Sequence, residues 1–221
     1  MVRTDLKTDP NAFIRANTEI MAAPHVPEIR LHLATEAHDL WLRTEDELQE
    51  IGLPPPFWAF AWAGGQGLAR YILDHPGVVT GRRVLDFASG SGLVAIAAKL
   101  AGAGEVIAAD IDPWAATAVR LNAGENGIAI GFTGDDLIGR PVDVDIVLAG
   151  DVFYDRDFAE RLTPWFEALA VQGVDVFVGD PGRAYLPRVK LVSCMTYQVP
   201  VTRALEDSEV KKTTVWKFVV G

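Results

Sequence analysis

Eleven residues, Arg83-Val84-Leu85-Asp86-Phe87-Ala88-Ser89-Gly90-Ser91-Gly92-Leu93, constrain this chain more than any other stretch. Val84-Leu85 begins a short apolar strand and Asp86 closes it. Small residues fill a turn, and then Leu93, Ile96, Ala97 and Leu100 follow at the spacing of one helical face. The stretch reads as strand, tight turn, helix, with Gly90 and Gly92 where the backbone bends. Glycine adopts dihedrals that other residues avoid and lets a ligand approach the main chain closely. The unpaired amides that open a helix offer donors to an anionic group. Alone, such a turn fits a dinucleotide, a phosphate or no ligand.

The next strand narrows the choice. Glu105-Val106-Ile107-Ala108-Ala109 is short and apolar and ends in Asp110. An acid at the tip of the second strand, about twenty residues past the glycines, accepts hydrogen bonds from both ribose hydroxyls. Asp86 argues against a pyrophosphate, because a fixed negative charge beside the turn repels phosphate and suits an ammonium group. A ligand with a ribose, a cationic amine and no phosphate is S-adenosylmethionine. The alternative is a Rossmann-like dehydrogenase turn, for which Asp86 stands in the wrong place. The pattern Asp86-x-Ala88-x-Gly90-x-Gly92 resembles the acid-x-G-x-G-x-G turn of the class I methyltransferases, with alanine in place of the first glycine.

At 221 residues the chain suits one methyltransferase domain, with 1–60 as an N-terminal accessory segment and 61–221 as the cofactor-binding core. Twenty basic and thirty acidic residues give a net charge of −10, which disfavours a broad grip on nucleic acid and suits a lysine-presenting protein partner. The single Cys194 excludes an internal disulfide and reads as a small buried strand residue. His25, His32, His38 and His75 show no metal-ligand spacing and read as surface or interface residues, so no metal is expected. No apolar run has the length of a membrane span, and the first ten residues lack the apolar core of a signal peptide. A cytoplasmic monomer is the resulting expectation.

Along the chain, Glu28–Leu33 alternates as a half-buried strand and Ala34–Glu50 is a helix candidate. Three prolines, Pro54 to Pro56, then precede the crowded aromatics Phe57, Trp58, Phe60 and Trp62. These rings either plug the accessory segment onto the core or supply a face for adenine or an alkyl-ammonium. Gly64-Gly65-Gln66 opens a helix that stops near Pro76-Gly77. Asp112-Pro113 starts another that runs to about Asn122, with Asp112 as cap. Ile128–Phe132 is a third strand, followed by Asp135-Asp136-Leu137, where an acid can approach the adenine amine. Val144–Ala149 is a fourth, running into Gly150-Asp151-Val152-Phe153-Tyr154-Asp155. The following helix carries Phe158, Leu162, Trp165, Phe166 and Leu169, and Pro164 is expected to kink or end it. Asp151, Asp155 and Asp157 all qualify as its cap. Val174–Val178 is a fifth strand, and Val189–Val199 with Thr213–Val220 form a closing antiparallel pair. The alternation predicts an α/β, Rossmann-like, doubly wound and mostly parallel seven-stranded sheet with a C-terminal antiparallel hairpin. Asp151 and Tyr154 then project at the topological switch point, where the transferred methyl group belongs.

Asp151-Val152-Phe153-Tyr154 resembles the acid-x-x-aromatic motif of the seven-strand protein-lysine methyltransferases. The Asn-Pro-Pro-Tyr sequence of many small-molecule and nucleic-acid methyltransferases is absent. Further matches run in order through Asn17-Thr18-Glu19, Pro27-Glu28-Ile29, Trp58-Ala59, Trp62 with Gly64-Gly65-Gln66, Asp110-Ile111-Asp112-Pro113, Gly179-Asp180-Pro181-Gly182-Arg183 and Thr214-Val215-Trp216. Together they resemble the electron transfer flavoprotein beta-subunit lysine methyltransferase family in a bacterial form, with Ala63 replacing a usual proline. The resemblance implies S-adenosylmethionine as cofactor and the flavoprotein beta subunit as protein partner. It implies that Asp151 orients the lysine amine and that Tyr154 and Phe153 line its channel. Asp86, Ala88, Ser89, Gly90 and Gly92 would hold the methionine end, Asp110 with Ile111 the ribose side, and Trp62, Asp136 and Leu137 the adenine side. Trp58, Asp180 and Arg183 are candidates for substrate contact or for supporting the motif after the fourth strand. Methylation of another protein, such as a ribosomal one, of a small-molecule amine, or a silent cofactor-binding module remain the alternatives.

Overall fold

The computed structural model describes residues 9–34, 55–201 and 209–219. Seven strands form the central sheet in the order β5-β4-β3-β6-β7-β9-β8. They are β3 (Arg83–Phe87), β4 (Glu105–Ala109), β5 (Gly131–Thr133), β6 (Ile146–Gly150), β7 (Asp175–Asp180), β8 (Leu191–Pro200) and β9 (Val210–Phe218). β3 to β7 run parallel; β9 is antiparallel to both β7 and β8. β3 pairs with β4 on one side and β6 on the other, so the switch point lies at its carboxyl end.

The alternation of β3 explains the layers. Val84 faces one core with Val106, Ile146 and Leu148, covered by α2 (Ala63–Asp74) and α3 (Leu93–Leu100). Leu85 and Phe87 face the opposite core with Val147, Ala149 and Val178, covered by α5 (Arg156–Val171) through Leu162, Trp165, Phe166 and Leu169. Burying side chains of this size stabilises the fold by about 1.5–3 kcal/mol each. Asp86 falls on the α3 face by the same alternation. Between β4 and β5 runs α4 (Pro113–Glu125), which Asp112 caps as its spacing predicts, with a bond from Trp114 N at 2.9 Å.

The N-terminal segment forms α1 (Pro10–Asn17) and a separate antiparallel pair, β1 (Glu19–Ala23) and β2 (Val26–Leu33). Ile14, Trp58, Phe60 and residues of α4 share a third apolar cluster. The helix expected over Ala34–Glu50 lies, beyond Ala34, outside the described residues, as do His38 and Pro54.

Four expectations are corrected. The third strand begins later than Ile128, because Ile128 and Ile130 pack onto the core before pairing starts at Gly131. α4 continues to Glu125, beyond the expected end near Asn122. Pro164 does not end α5, which runs on to Val171. Pro164 and Glu160 are both exposed, so the carbonyl that loses its partner faces water. His32 is not a surface residue. It is buried, with Nδ1 3.1 Å from Thr18 Oγ1 and its amide donating to Asn122 at 2.7 Å. Cys194 lies in β8, partly buried.

Candidate active site

The glycine turn sits at the carboxyl end of β3, and its backbone is unusual at three places. Ala88 (φ 53°), Gly90 (φ 49°) and Gly92 (φ 78°) all occupy the left-handed region. A Cβ on Gly92 would lie 3.0 Å from Val119 Cγ2, so close packing on α4 also demands glycine there. Gly92 offers no side-chain cap; Asp86 takes the Ala95 amide of the first α3 turn, and the Leu93 and Val94 amides ahead of it have no side-chain cap among the described residues. Asp86 lies beneath this turn rather than beside it. Its carboxyl accepts from Ala95 N at 2.8 Å. Burial pushes it up to about 8, against the pull of that bond. The expectation of a fixed negative charge at Asp86 is therefore corrected: a buried acid of that pKa carries its proton at neutral pH until a cation arrives beside it.

Asp110 closes β4 and clamps the turn. Oδ2 accepts from Gly90 N at 2.8 Å and Oδ1 from Asp112 N at 2.9 Å. Burial raises its pKa and the two amides lower it. Asp112, beside it, is pushed up to about 6 by burial. Each Asp110 oxygen keeps a lone pair for a ribose hydroxyl. Ser89 Oγ is buried and has no partner among the described residues. An orphaned hydroxyl, uncapped amides and a half-used carboxylate together fit a polar ligand carrying a ribose. Ile111, 72% exposed, and the partly buried Leu137 offer apolar surface farther along the strand ends. Asp136 is exposed, accepts from Ile138 N at 3.1 Å and pairs with Arg161 at 2.9 Å, which lowers its pKa.

The second half of the site is built on glycine-to-glycine contact. β6 ends at Gly150, paired with Gly179 of β7, and Asp151 follows in the left-handed region at φ 58°. The first turn of α2 presses on this corner. A Cβ on Gly64 would meet Gly179 O and stand 2.8 Å from Asp151 N. Gly64 N instead donates to Asp151 Oδ2, which places a carboxylate at the positive end of α2. Asp151 Oδ1 accepts from Arg183 Nε at 2.8 Å and lies 2.7 Å from Nη2. Burial pushes Asp151 up to about 6; Arg183 and the Gly64 amide draw it down, and Asp180 pushes it up. Asp180 Oδ1 accepts from Gly182 N at 2.6 Å and Arg183 N at 2.8 Å, so it shapes the turn that delivers Arg183. Trp62, next to α2, donates from its ring to Phe57 O at 3.1 Å and meets the Phe57 ring edge-on.

Tyr154 is 53% exposed, with the Phe57 ring centroid 5.9 Å away. Two sequence-based readings are corrected. Phe153 is wholly buried, edge-on to Phe166, and lines no channel. Trp58 is buried and stacked on Trp114, so its ring packs the N-terminal segment against α4. Gly64 takes a site position where the sequence shows only a helix start, and Phe57, one of the rings that read either as packing or as an aromatic face, lies beside Tyr154. Among the described residues, no three His, Cys, Asp or Glu side chains gather as a metal-ligand set.

Comparisons with known proteins follow the same lines. The ribosomal protein L11 methyltransferase (PrmA) family model matches residues 70–150. The electron transfer flavoprotein beta subunit lysine methyltransferase of Xenopus laevis is 40% identical over 96% of this chain and 87% of its own length. The human protein of the same name is 36% identical over 96% of this chain and 83% of its own. Magnesium protoporphyrin IX methyltransferase from Synechocystis PCC 6803, solved with bound SAM, superposes with a TM-score of 0.54 at 14% identity, covering 99% of this chain and 100% of that one. At that identity it speaks for the fold alone.

Proposed function

Because this chain belongs to the electron transfer flavoprotein beta subunit lysine methyltransferase family, we propose that it methylates lysines of that flavoprotein subunit, with S-adenosylmethionine as donor. It is a protein-lysine methyltransferase, and the near-full-length similarity to the Xenopus and human enzymes is the observation that carries the choice of substrate.

The bound cofactor supplies a sulfonium methyl group open to in-line attack by a neutral amine. The residues of this chain then divide the remaining work. Asp110 holds the ribose hydroxyls; the Ala88–Gly92 backbone and Ser89 Oγ hold the methionine end. Ile111 and Leu137 wall the base, with Trp62 and Asp136 at its border. An ionised carboxylate has about four acceptor positions. Arg183 and Gly64 fill three of those on Asp151, and the fourth, on Oδ2, takes the lysine amine. Tyr154 and Phe57 border the entrance, where an aromatic face attracts an alkyl-ammonium by about 0.5–2 kcal/mol. A lysine amine is protonated at neutral pH, so it sheds its proton to water before transfer. The protein's contribution is orientation and exclusion of competing water.

The test is incubation with methyl-labelled S-adenosylmethionine and the flavoprotein, both as intact dimer and as separated beta subunit. Label on beta-subunit lysines, lost in Asp151→Ala, is the expected outcome. An unlabelled subunit beside wild-type cofactor binding would refute the substrate while leaving the reaction class in place.

A further inference from the structure

The glycine turn is fastened from its α4 side. Ser91 stands between Gly90 and Gly92, and glycines on both flanks let the peptide planes around it rotate at little cost. Two bonds fix the Ser91–Gly92 plane. Ser91 O accepts from Asn122 Nδ2 at 2.8 Å, and Gly92 N donates to Ser89 O at 2.8 Å. Asn122 belongs to α4 and is wholly buried, which is costly for a side-chain amide unless its oxygen is bonded as well. That oxygen accepts from His32 N of β2 at 2.7 Å. The His32 side chain is locked in turn. Thr18 Oγ1 donates its one proton to Ile14 O at 2.6 Å, so it accepts from His32 Nδ1 at 3.1 Å. Ile14, Thr18, His32, Asn122 and Ser91 are all buried, and their hydrogen bonds run from α1 through β2 and α4 to the cofactor turn.

We propose that Asn122 is a positioning residue for the cofactor: it holds the Ser91 carbonyl toward α4 and takes its own orientation from the N-terminal hairpin. Without it, the Gly-Ser-Gly backbone can turn that carbonyl toward the methionine end, where the ligand's carboxylate needs an amide. The N-terminal segment thereby shapes the cofactor site through Asn122. Asn126, one helical turn further on at the end of α4, provides a matched comparison. Its Oδ1 accepts from Arg30 N at 3.0 Å, and its Nδ2 donates to Arg30 O and Asn122 O, each at 2.7 Å. It ties the same strand to the same helix, but none of these bonds ends on the turn.

The inference rests on S-adenosylmethionine as the ligand of this turn but on no particular methyl acceptor, so the full-length protein is tested with the cofactor alone. Calorimetric titration of the wild type comes first. No binding would overturn the cofactor reading and this inference with it; binding without label on the flavoprotein would overturn only the choice of substrate. Asn122→Leu should raise the Kd roughly tenfold, as a turn correctly oriented about a tenth of the time would. Asn126→Ala, which also loosens β2 from α4, should keep the wild-type Kd, while denaturant unfolding shows both variants less stable. A wild-type Kd in Asn122→Leu, or an equal rise in both variants, would assign the bond to general stability and overturn the positioning role. Asn122→Asp gives a second measurement. It keeps an acceptor for His32 N; at pH 8.5 its carboxylate opposes Ser91 O, and at pH 6 a protonated carboxyl donates to it. The ratio of its Kd to that of the wild type, in which the shared titration of Asp86, Asp110 and Asp112 cancels, should fall toward one as pH falls. A ratio that does not change with pH overturns the proposal, and that measurement decides alone should Asn122→Leu fail to fold.

Discussion

Among the described residues, two side chains occupy a backbone region that favours glycine, Ala88 and Asp151, and they stand at the cofactor and substrate ends of one site. For Ala88 the strain is removable. A left-handed alanine costs roughly 1 kcal/mol more than glycine, so Ala88→Gly is expected to raise unfolding free energy by about that amount. Urea unfolding checks it, and an unchanged midpoint would mean the neighbouring residues have relaxed the turn. The alanine was plain in the sequence; its dihedral was not, because dihedrals depend on the strands that the turn joins. Asp86 carries the same lesson. Its position was legible from the strand alternation, but its protonation depends on a burial that only the packed α3 creates. With a folded pKa of about 8 against 3.8 unfolded, the folded state favours the proton. That contribution to stability is complete below the unfolded value and is lost as pH rises through 8. Asp86→Asn keeps an acceptor for Ala95 N and does not titrate. Its stability should therefore fall less than that of the wild type between pH 5 and 8.5 in chemical denaturation. Parallel curves would mean that Asp86 is charged throughout.

At the scale of elements, the contact between α2 and the ends of β6 and β7 decides where Asp151 points. Gly64 and Gly65 are adjacent, yet they respond oppositely to a methyl group. At Gly64 it would lie 2.6 Å from Asp151 Oδ2 and against Gly179 O, both held by the sheet. At Gly65 the nearest atom is Val94 Cγ2 at 3.9 Å. Gly64→Ala should cost about 1–3 kcal/mol and abolish methyl transfer, since Asp151 must move. Gly65→Ala should be tolerated or stabilise α2 by up to about 1 kcal/mol. Thermal melts with methyl-transfer rates on both variants check this, and equal responses would refute the close approach. The helix start was legible from the glycines, and β3, β4, α3 and α5 from their apolar periods. What could not be read was which partner each face would meet. Trp58 and Phe153 stood beside motif residues and so read as functional, whereas pairing with Trp114 and Phe166, far along the chain, makes them core. The exchange that places β9 inside the sheet and β8 at its edge likewise rests on pairing between distant segments.

Across the whole molecule, the two ends of the sheet hold their carboxylates in opposite ways. At the amino ends of the strands, Arg82 pairs with Asp175, Arg83 with Asp143 and Asp145, and Lys217 with Asp175. Hydrogen bonds from Arg83 hold Asp145 down at about 2, and Asp175 is also lowered. Their contribution is present above pH 3.8 and is lost only in strong acid. At the carboxyl ends, Asp86, Asp110, Asp112, Asp151 and Asp180 are all raised, chiefly by burial. The amino end stabilises the fold, and the carboxyl end keeps a store of protonated or half-bonded acids for a cationic ligand. The buried histidine His32 and partly buried His25 are lowered by burial, so their contribution is full above pH 6.5 and fades below it. Between pH 6.5 and 8.5 the change therefore belongs mainly to the carboxyl end. A ligand that prefers ionised acids binds more tightly as pH rises, and it stabilises the protein by RT ln(1 + [L]/Kd). The rise in Tm on adding a fixed concentration of S-adenosylmethionine should thus be larger at pH 8.5 than at pH 6.5, and the difference should shrink in Asp86→Asn. An equal rise at both pH values would separate cofactor binding from the ionisation of these acids.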